Sequence, residues 1–341
     1  MTGTLSILSA GPGSTVQDGG RHGYLRYGVT GAGPMDPLAH AVANRALGNP
    51  AGAAAIEVSL GGIEITAEEA PLTVAVAGGA FSATLDGQAL PPAVVVHLEP
   101  GVQLRLRAGA AGCWCYLAVA GGLDLPLVLG SASTHTRTGI GGLEGRALAA
   151  GDRLATGTPA RVSVAAGAIQ APLLERPAET IRVILGPQDD FFAPDQIASF
   201  LAGPWTVSAR GDRMACFLEG PKLTHLRSYN ITSDGIAMGA IQVPGEGQPI
   251  ILMADRQSTG GYPKIATIIG PDLGRLAQAR PGSTLCFRSV SHAEAVAARA
   301  EEQAFLAGAI PVEPLIRTRF TSEFLLGLNL VDGYVDAHAQ A

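Results

Sequence analysis

Residues 94–107 read Val-Val-Val-His-Leu-Glu-Pro-Gly-Val-Gln-Leu-Arg-Leu-Arg. In the second half Val102, Leu104 and Leu106 alternate with Gln103, Arg105 and Arg107, the period of two in which a strand shows one face to a core and the other to water. Glu99-Pro100-Gly101 has turn chemistry, so the two runs are expected to form a half-buried antiparallel hairpin. Similar runs recur at Leu72–Ala77, Trp114–Val119, Ile181–Leu185, Pro249–Met253 and Thr284–Val290. Short strands at this density predict barrels or sandwiches, a mainly β chain.

Composition agrees. The chain has 341 residues, enough for two domains at about 150 residues each. Hydrophobic residues make up 47%, charged residues 15%, and the net charge is -6, which excludes a disordered chain and a nucleic-acid binder that relies on a basic surface. Gly (45) and Pro (23) are spread without a period, so the chain turns often. Helices are few. Asp36 and Pro37 form an N-cap and first-turn pair before Leu38, Ala41, Val42 and Ala46, and Gly48 stops the run. Ser291 and Glu294 fit a capping box for a second helix to about Leu306.

The Ala- and Pro-rich stretch from Gly157 to Thr180 separates two strand-rich halves. The expected organisation is a first β-barrel subdomain at 1–157, a linker at 158–180, a second barrel at 181–308 and a tail at 309–341. The N-terminal segment is a candidate to join the second barrel. Phe324-Leu-Leu-Gly-Leu-Asn-Leu-Val331 in the tail is apolar enough to dock on a core or a partner. Met1 to Ala10 carry no basic leader, and no stretch approaches the roughly 18 apolar residues of a membrane span, so a cytoplasmic protein away from membranes is expected. Cys113, Cys115, Cys216 and Cys286 lack the spacing of a zinc knuckle or a disulfide framework. In a strand, Cys113 and Cys115 would share one buried face, with Trp114 on the other.

Three glycine-rich clusters place polar side chains beside backbone that a ligand can approach: Gln17-Asp-Gly-Gly-Arg21, Gly141-Gly-Leu-Glu-Gly-Arg146 and Gln257-Ser-Thr-Gly-Gly-Tyr-Pro-Lys264. Together with Asn44-Arg-Ala-Leu-Gly-Asn49, Ala118-Val-Ala-Gly-Gly122, Gly130-Ser-Ala-Ser-Thr134, Gly186-Pro-Gln188, Gly239-Ala-Ile-Gln-Val-Pro-Gly-Glu-Gly-Gln-Pro-Ile250 and the final Leu328-Asn-Leu-Val-Asp-Gly333, they resemble the allophanate hydrolase subunit 2 family, also called the 5-oxoprolinase C subunit or KipA. The resemblance implies a pair of cyclophilin-like β-barrel subdomains equivalent to half of the carboxyltransferase domain of urea carboxylase. It also implies a partner, a homologue of the B subunit, of the KipI or allophanate hydrolase subunit 1 type, and a further component, the A subunit. The implied activity is ATP-dependent opening of 5-oxo-L-proline to L-glutamate, with Mg2+ accompanying the nucleotide. The alternatives are carboxyl transfer from carboxybiotin to urea or a related amide, and a regulatory KipA-type binding protein. The chain departs from the family pattern at Ala215-Cys-Phe217, where Gly, a variable residue and Arg are usual, and carries Ser258 for threonine and Pro34 for alanine.

Opening a lactam requires an anchor for the substrate and donors around developing charge. Asp18, Arg21, Asp255 and Lys264 are the candidate catalytic residues. Asp36, Asn44, Glu57, Arg213, Gln242, Gln248, Thr259, Gly260, Gly261 and Tyr262 are the candidate substrate-binding residues, and no metal ligands are assigned. Asp18, Arg21, Gln248 and Lys264 are expected to converge at one pocket mouth. Bland readings stand beside these: Asp36 as a helix cap, Asp18 paired with Arg21, Glu57 ordering a strand end, Tyr262 packed on Pro263. The seven histidines form no ligand spacing. No Gly-x-x-x-x-Gly-Lys-Ser/Thr is present, and Lys222 and Lys264 each follow a proline rather than sit in a biotin-acceptor pattern. Neither lysine has the serine-rich context of an amidase triad, which argues against allophanate hydrolysis by this chain.

Overall fold

The computed structural model describes residues 3–159 and 164–315, together with Ser322 and Leu325. The apolar stretch Phe324–Val331, apart from Leu325, and the motif Leu328–Gly333 lie outside the described residues.

The hairpin expected across residues 94–107 does not form. Val94–Leu98 pairs with Leu72–Ala77 and Gly167–Ile169, whereas Leu104–Ala111 pairs with Ile63–Ala67 and Ala80–Leu85. Glu99-Pro100-Gly101 carries the chain from one sheet to the sheet facing it. The alternation itself holds: Leu104 and Leu106 are buried, Arg105 and Arg107 exposed. A period of two fixes which face a strand buries, but it leaves the neighbour open.

Among the described residues, the first unit is two facing sheets rather than a closed barrel. One runs Arg153–Ala155, Thr4–Ala10, Ile63–Ala67, Leu104–Ala111, Ala80–Leu85 and Gln88–Leu90. The other runs Thr15–Gln17, Ala55–Val58, Cys115–Val119, Leu72–Ala77, Val94–Leu98, Gly167–Ile169 and Val312–Glu313. Leu5, Ile65, Leu104, Val74, Val96 and Leu117 fill the space between them. Helix α1 (Pro37–Ala46) covers the other face of the second sheet, where Leu38 and Val42 meet Ala75, Val95 and Tyr116. That cover explains why Val94-Val95-Val96 is apolar on both sides while the Leu104 strand alternates. Asp36 caps α1, its Oδ1 accepting from Ala39 N at 3.2 Å.

The boundaries differ from the sequence expectation in three places. The segment at 158–180 contains Gly167–Ile169, a strand of the first unit, and Val312–Glu313 returns to pair with it. Thr4–Ala10 pairs within the first unit. Met35, however, sits in the core of the second, and Thr30 Oγ1 donates to Ala254 O. Cys115 is in the first core, but Cys113 precedes its strand and bonds Ala279 O through Sγ.

The second unit is a closed barrel in the order Thr180–Leu185, Lys264–Ile268, Ala240–Gln242, Ile250–Leu252, Ala215–Glu219, Trp205–Val207 and Thr284–Ser289. The last strand returns parallel to the first, which removes both sheet edges. Helices α2 (Pro194–Ala202), α3 (Gly270–Ala277) and α4 (His292–Ala307) are the further α-helices among the described residues. The capping box of Ser291 and Glu294 is formed at the start of α4. Among the described residues no helix is long and apolar enough to cross a membrane.

Candidate functional site

The units meet over a buried charge cluster. Glu57 comes from a first-unit strand paired on both sides, so its side chain is fully enclosed. Arg213 precedes a barrel strand and Asp255 follows the next one. Arg213 Nε and Nη2 donate to the two oxygens of Asp255, each at 2.9 Å. Its Nη1 donates to Glu57, and its Nη2 also donates to Gly33 O at 2.7 Å. Glu57 Oε2 accepts from Met35 N (2.7 Å) and Tyr116 OH (2.8 Å), and Tyr116 OH accepts from Asp36 N (2.7 Å). Asp36 in turn accepts from Arg176 and Gln278. Burial opposes the Arg213 charge, but Glu57 and Asp255 more than offset it and hold the guanidinium above its ordinary pKa. Burial pushes the Glu57 carboxyl up against the pull of Arg213 and the Met35 N–H. Four expected residues, Asp36, Glu57, Arg213 and Asp255, therefore share one network. The sequence reading missed Met35, which acts here through its backbone N–H, and Tyr116 and Gln278, which lie in none of the glycine-rich clusters.

Asp18 and Arg21 form a second station. Asp18 accepts from Ser131 Oγ, Ser133 Oγ and Ala132 N, each at 2.6 Å, and from Gly20 N at 2.9 Å. Gly20 holds φ +94°, a conformation that favours glycine. Burial alone would raise the Asp18 pKa, but the Ser131 and Ser133 hydroxyls and two N–H groups bring it below its ordinary value. Arg21, 1% exposed, donates to Val128 O, Ser131 O and Ser133 O rather than to Asp18. Both side chains thus hold the 128–133 loop, and the Asp18–Arg21 pair is not formed.

A third station lies on the barrel rim. Lys264 Nζ pairs with Asp234 Oδ2 at 2.8 Å, and Lys264 N donates to Gln188 Oε1. Gln242 Nε2 approaches Tyr262 O at 3.4 Å, Thr259–Gly260 pairs with Asp234–Gly235, and Gly261 O accepts from Ile231 N. Tyr262 is 39% exposed. Gln248 bonds both the N–H and the C=O of Gly220, and Asn44 is fully buried on Ala53 O and Asn49. Asp18 and Arg21 thus share the 128–133 loop, whereas Lys264 bonds Asp234 and Gln248 bonds Gly220, so no shared hydrogen-bond partner joins the four.

A cleft of about 590 Å³ opens over the first station. Met35, Trp114, Met214 and Met253 give it apolar walls, and Arg213 and Asp255 a charged floor. Arg137 Nη2 and Asp212 Oδ2 bridge the two units at its edge, 3.0 Å apart. Cys113 and Cys216 also line it, and burial pushes the Cys216 thiol up to about 12. Cys216 stands where the resembled family has its variable position, two residues before the barrel-strand Leu218. Apolar walls around a few charged groups are the make-up of a small-molecule site.

Fold and seam define a class: a mainly β chain of two units whose charged residues gather where the units meet. The chain belongs to the carboxyltransferase domain family, subdomains A and B, which matches residues 27–289. It is 40% identical over 302 residues to the C subunit of 5-oxoprolinase from Escherichia coli (strain K12), covering 88% of this chain and 96% of that one. It is 34% identical over 307 residues to urea amidolyase of Saccharomyces cerevisiae, covering 84% of this chain but 17% of that one. Among solved structures, the urea amidolyase of K. lactis superposes with a TM-score of 0.82 at 28% identity, over 91% of this chain and 20% of that one. A protein designated TTHA0988 does so at 0.76 and 37% identity, over 84% of this chain and 55% of that one. The chain thus spans about half of the one solved relative and a fifth of the other.

Proposed function

We propose that this chain is the C subunit of an ATP-dependent 5-oxoprolinase, which opens 5-oxo-L-proline to L-glutamate together with homologues of the B and A components. The supporting observation is the span of the match: it takes in 96% of a chain named as the C subunit of 5-oxoprolinase, whereas the urea amidolyases contain it as a small part. In this reading the chain is inactive alone, and the B partner completes the cleft. One lactam, one ATP and two waters give glutamate, ADP and phosphate. ATP supplies the phosphoryl group that turns the lactam oxygen into a leaving group. This chain's part is to hold the ring against Met35 and Trp114, exclude water, and present the Arg213 and Asp255 floor at a fixed geometry.

Of the candidate acids, Asp18 and Asp255 are not free to take Mg2+ as they stand, because both oxygens of each are occupied by internal donors.

A test is to purify the chain with its B partner and measure 5-oxoproline-dependent ATP hydrolysis, then glutamate release on adding the A component. Absence of both overturns the reading. A second reading, a carboxyltransferase component taking the carboxyl of carboxybiotin to urea or a related amide, is favoured by the superposition on urea amidolyase. It is checked by biotin-dependent transfer of labelled bicarbonate to urea, and no transfer removes it.

A further inference from the structure

A second cavity, of about 370 Å³, adjoins the cleft through Arg137, Met214 and Asp255, which line both. Its size falls in the range of about 300–1,000 Å³ usual for small-molecule sites. Two of its lining side chains, His135 and Arg256, are only 6% and 8% exposed. Arg256 donates from Nε to Ile236 O (3.0 Å) and from Nη1 to Met253 O (3.4 Å). No carboxylate hydrogen-bonds it, and its Nη2 has no partner among the described residues. His135 Nδ1 meets Thr138 Oγ1 at 2.7 Å, its Nε2 is buried without a hydrogen-bond partner, and the Asp255 backbone lies close to the ring. Behind the wall, Arg21 donates from Nε to Val128 O, and its buried Nη1 has no partner.

The carboxylates nearby are already committed. Asp255, which also lines the cavity, gives both oxygens to Arg213, and Asp18 gives its own to the 131–133 loop and Gly20. Arg137 at the edge is paired with Asp212. Burial lowers the pKa of Arg256 and of Arg21, with carboxylates offsetting only part of it. A buried guanidinium without its counter-charge is costly, and an anion delivered to it removes that cost.

We propose that this cavity binds a small carboxylate, with Arg256 as its charged anchor and the His135 ring in the wall beside it. That the carboxylate is the one carried by 5-oxo-L-proline rests on the function proposed above.

The full chain is titrated with acetate, 5-oxo-L-proline and 2-pyrrolidinone, a lactam without a carboxylate, by calorimetry and by the ring NMR signals of His135. Both acids are expected to bind and to move the His135 signals, with 2-pyrrolidinone at least about ten-fold weaker than 5-oxo-L-proline. Arg256→Gln should weaken both acids by about ten-fold or more, and His135→Gln by a smaller factor. Arg256→Lys keeps the charge and should recover part of the loss. Because Arg256→Gln also removes backbone contacts, near-UV circular dichroism checks its fold, and His135→Gln provides an independent reading. Acid binding unchanged in both Gln variants overturns the site, as does 2-pyrrolidinone binding as tightly as 5-oxo-L-proline, or no binding of any probe to the folded chain. Acetate binding that depends on Arg256, with no binding of 5-oxo-L-proline, supports the carboxylate site and overturns the substrate assigned to it.

Discussion

Arg213 and Arg256 are 9% and 8% exposed and lie on adjacent strands' ends, where Asp255 N donates to Arg213 O at 2.8 Å. Burial works against both charges. For Arg213 the chain supplies Glu57 and Asp255, and its pKa rises; Arg256 bonds only backbone carbonyls, the pull of Asp255 offsets burial only in part, and its pKa falls. A buried charge with its counter-charge built in holds the fold together, whereas one without it is open to a ligand.

The contrast is broken most directly by Arg213→Met, which strands two buried carboxylates. Urea denaturation should show a loss of about 3–5 kcal/mol. Adding Glu57→Gln to that variant should recover at least about 1 kcal/mol, because one stranded charge is gone. A loss near zero for Arg213→Met alone would remove the distinction. Arg256→Met leaves only two carbonyls short of a donor, so the same measurement should show about 1–2 kcal/mol. A cost equal to that of Arg213→Met would mean that Arg256 also has an internal counter-charge.

Asp18 tests whether a buried charge satisfied by neutral donors behaves like one satisfied by an ion. Its folded pKa lies below the ordinary 3.8, so its contribution is present above that pH and is lost as pH falls through the folded value. Asp18→Asn should cost about 1–2 kcal/mol at neutral pH, and the gap between variant and parent should close on acidification below pH 3.8. A gap constant with pH would contradict the assigned hydrogen bonds. The smallest effect belongs to the exposed Arg137–Asp212 bridge, 62% and 50% exposed. Arg137→Ala should shift thermal unfolding by the equivalent of less than about 1 kcal/mol.

Much of this is legible in the residues alone. The Asp36 cap and the Ser291 capping box depend on groups three residues apart, so local sequence suffices. Asp36, Glu57, Arg213 and Asp255 are named as site candidates from the sequence, and they meet in one network. Lys264 and Gln248 stand out through their glycine- and proline-rich settings, yet one serves the barrel rim and the other a single turn. His135 and Arg256 go unassigned because a lone histidine and an arginine beside an aspartate have no distinctive pattern. What marks them is the lack of a partner, and a missing contact leaves no trace in a string of residues.

By itself the order of amino acids determined the β character, the helix ends and which face of each strand avoids water, since all of these follow from interactions between near neighbours. The three-dimensional arrangement alone decided that residues 94–98 and 104–111 belong to opposite sheets, that Met35 enters the second barrel, and which buried guanidinium receives a carboxylate. These outcomes depend on surfaces brought together from distant parts of the chain, where burial and charge compensation are settled only once the two units close on each other.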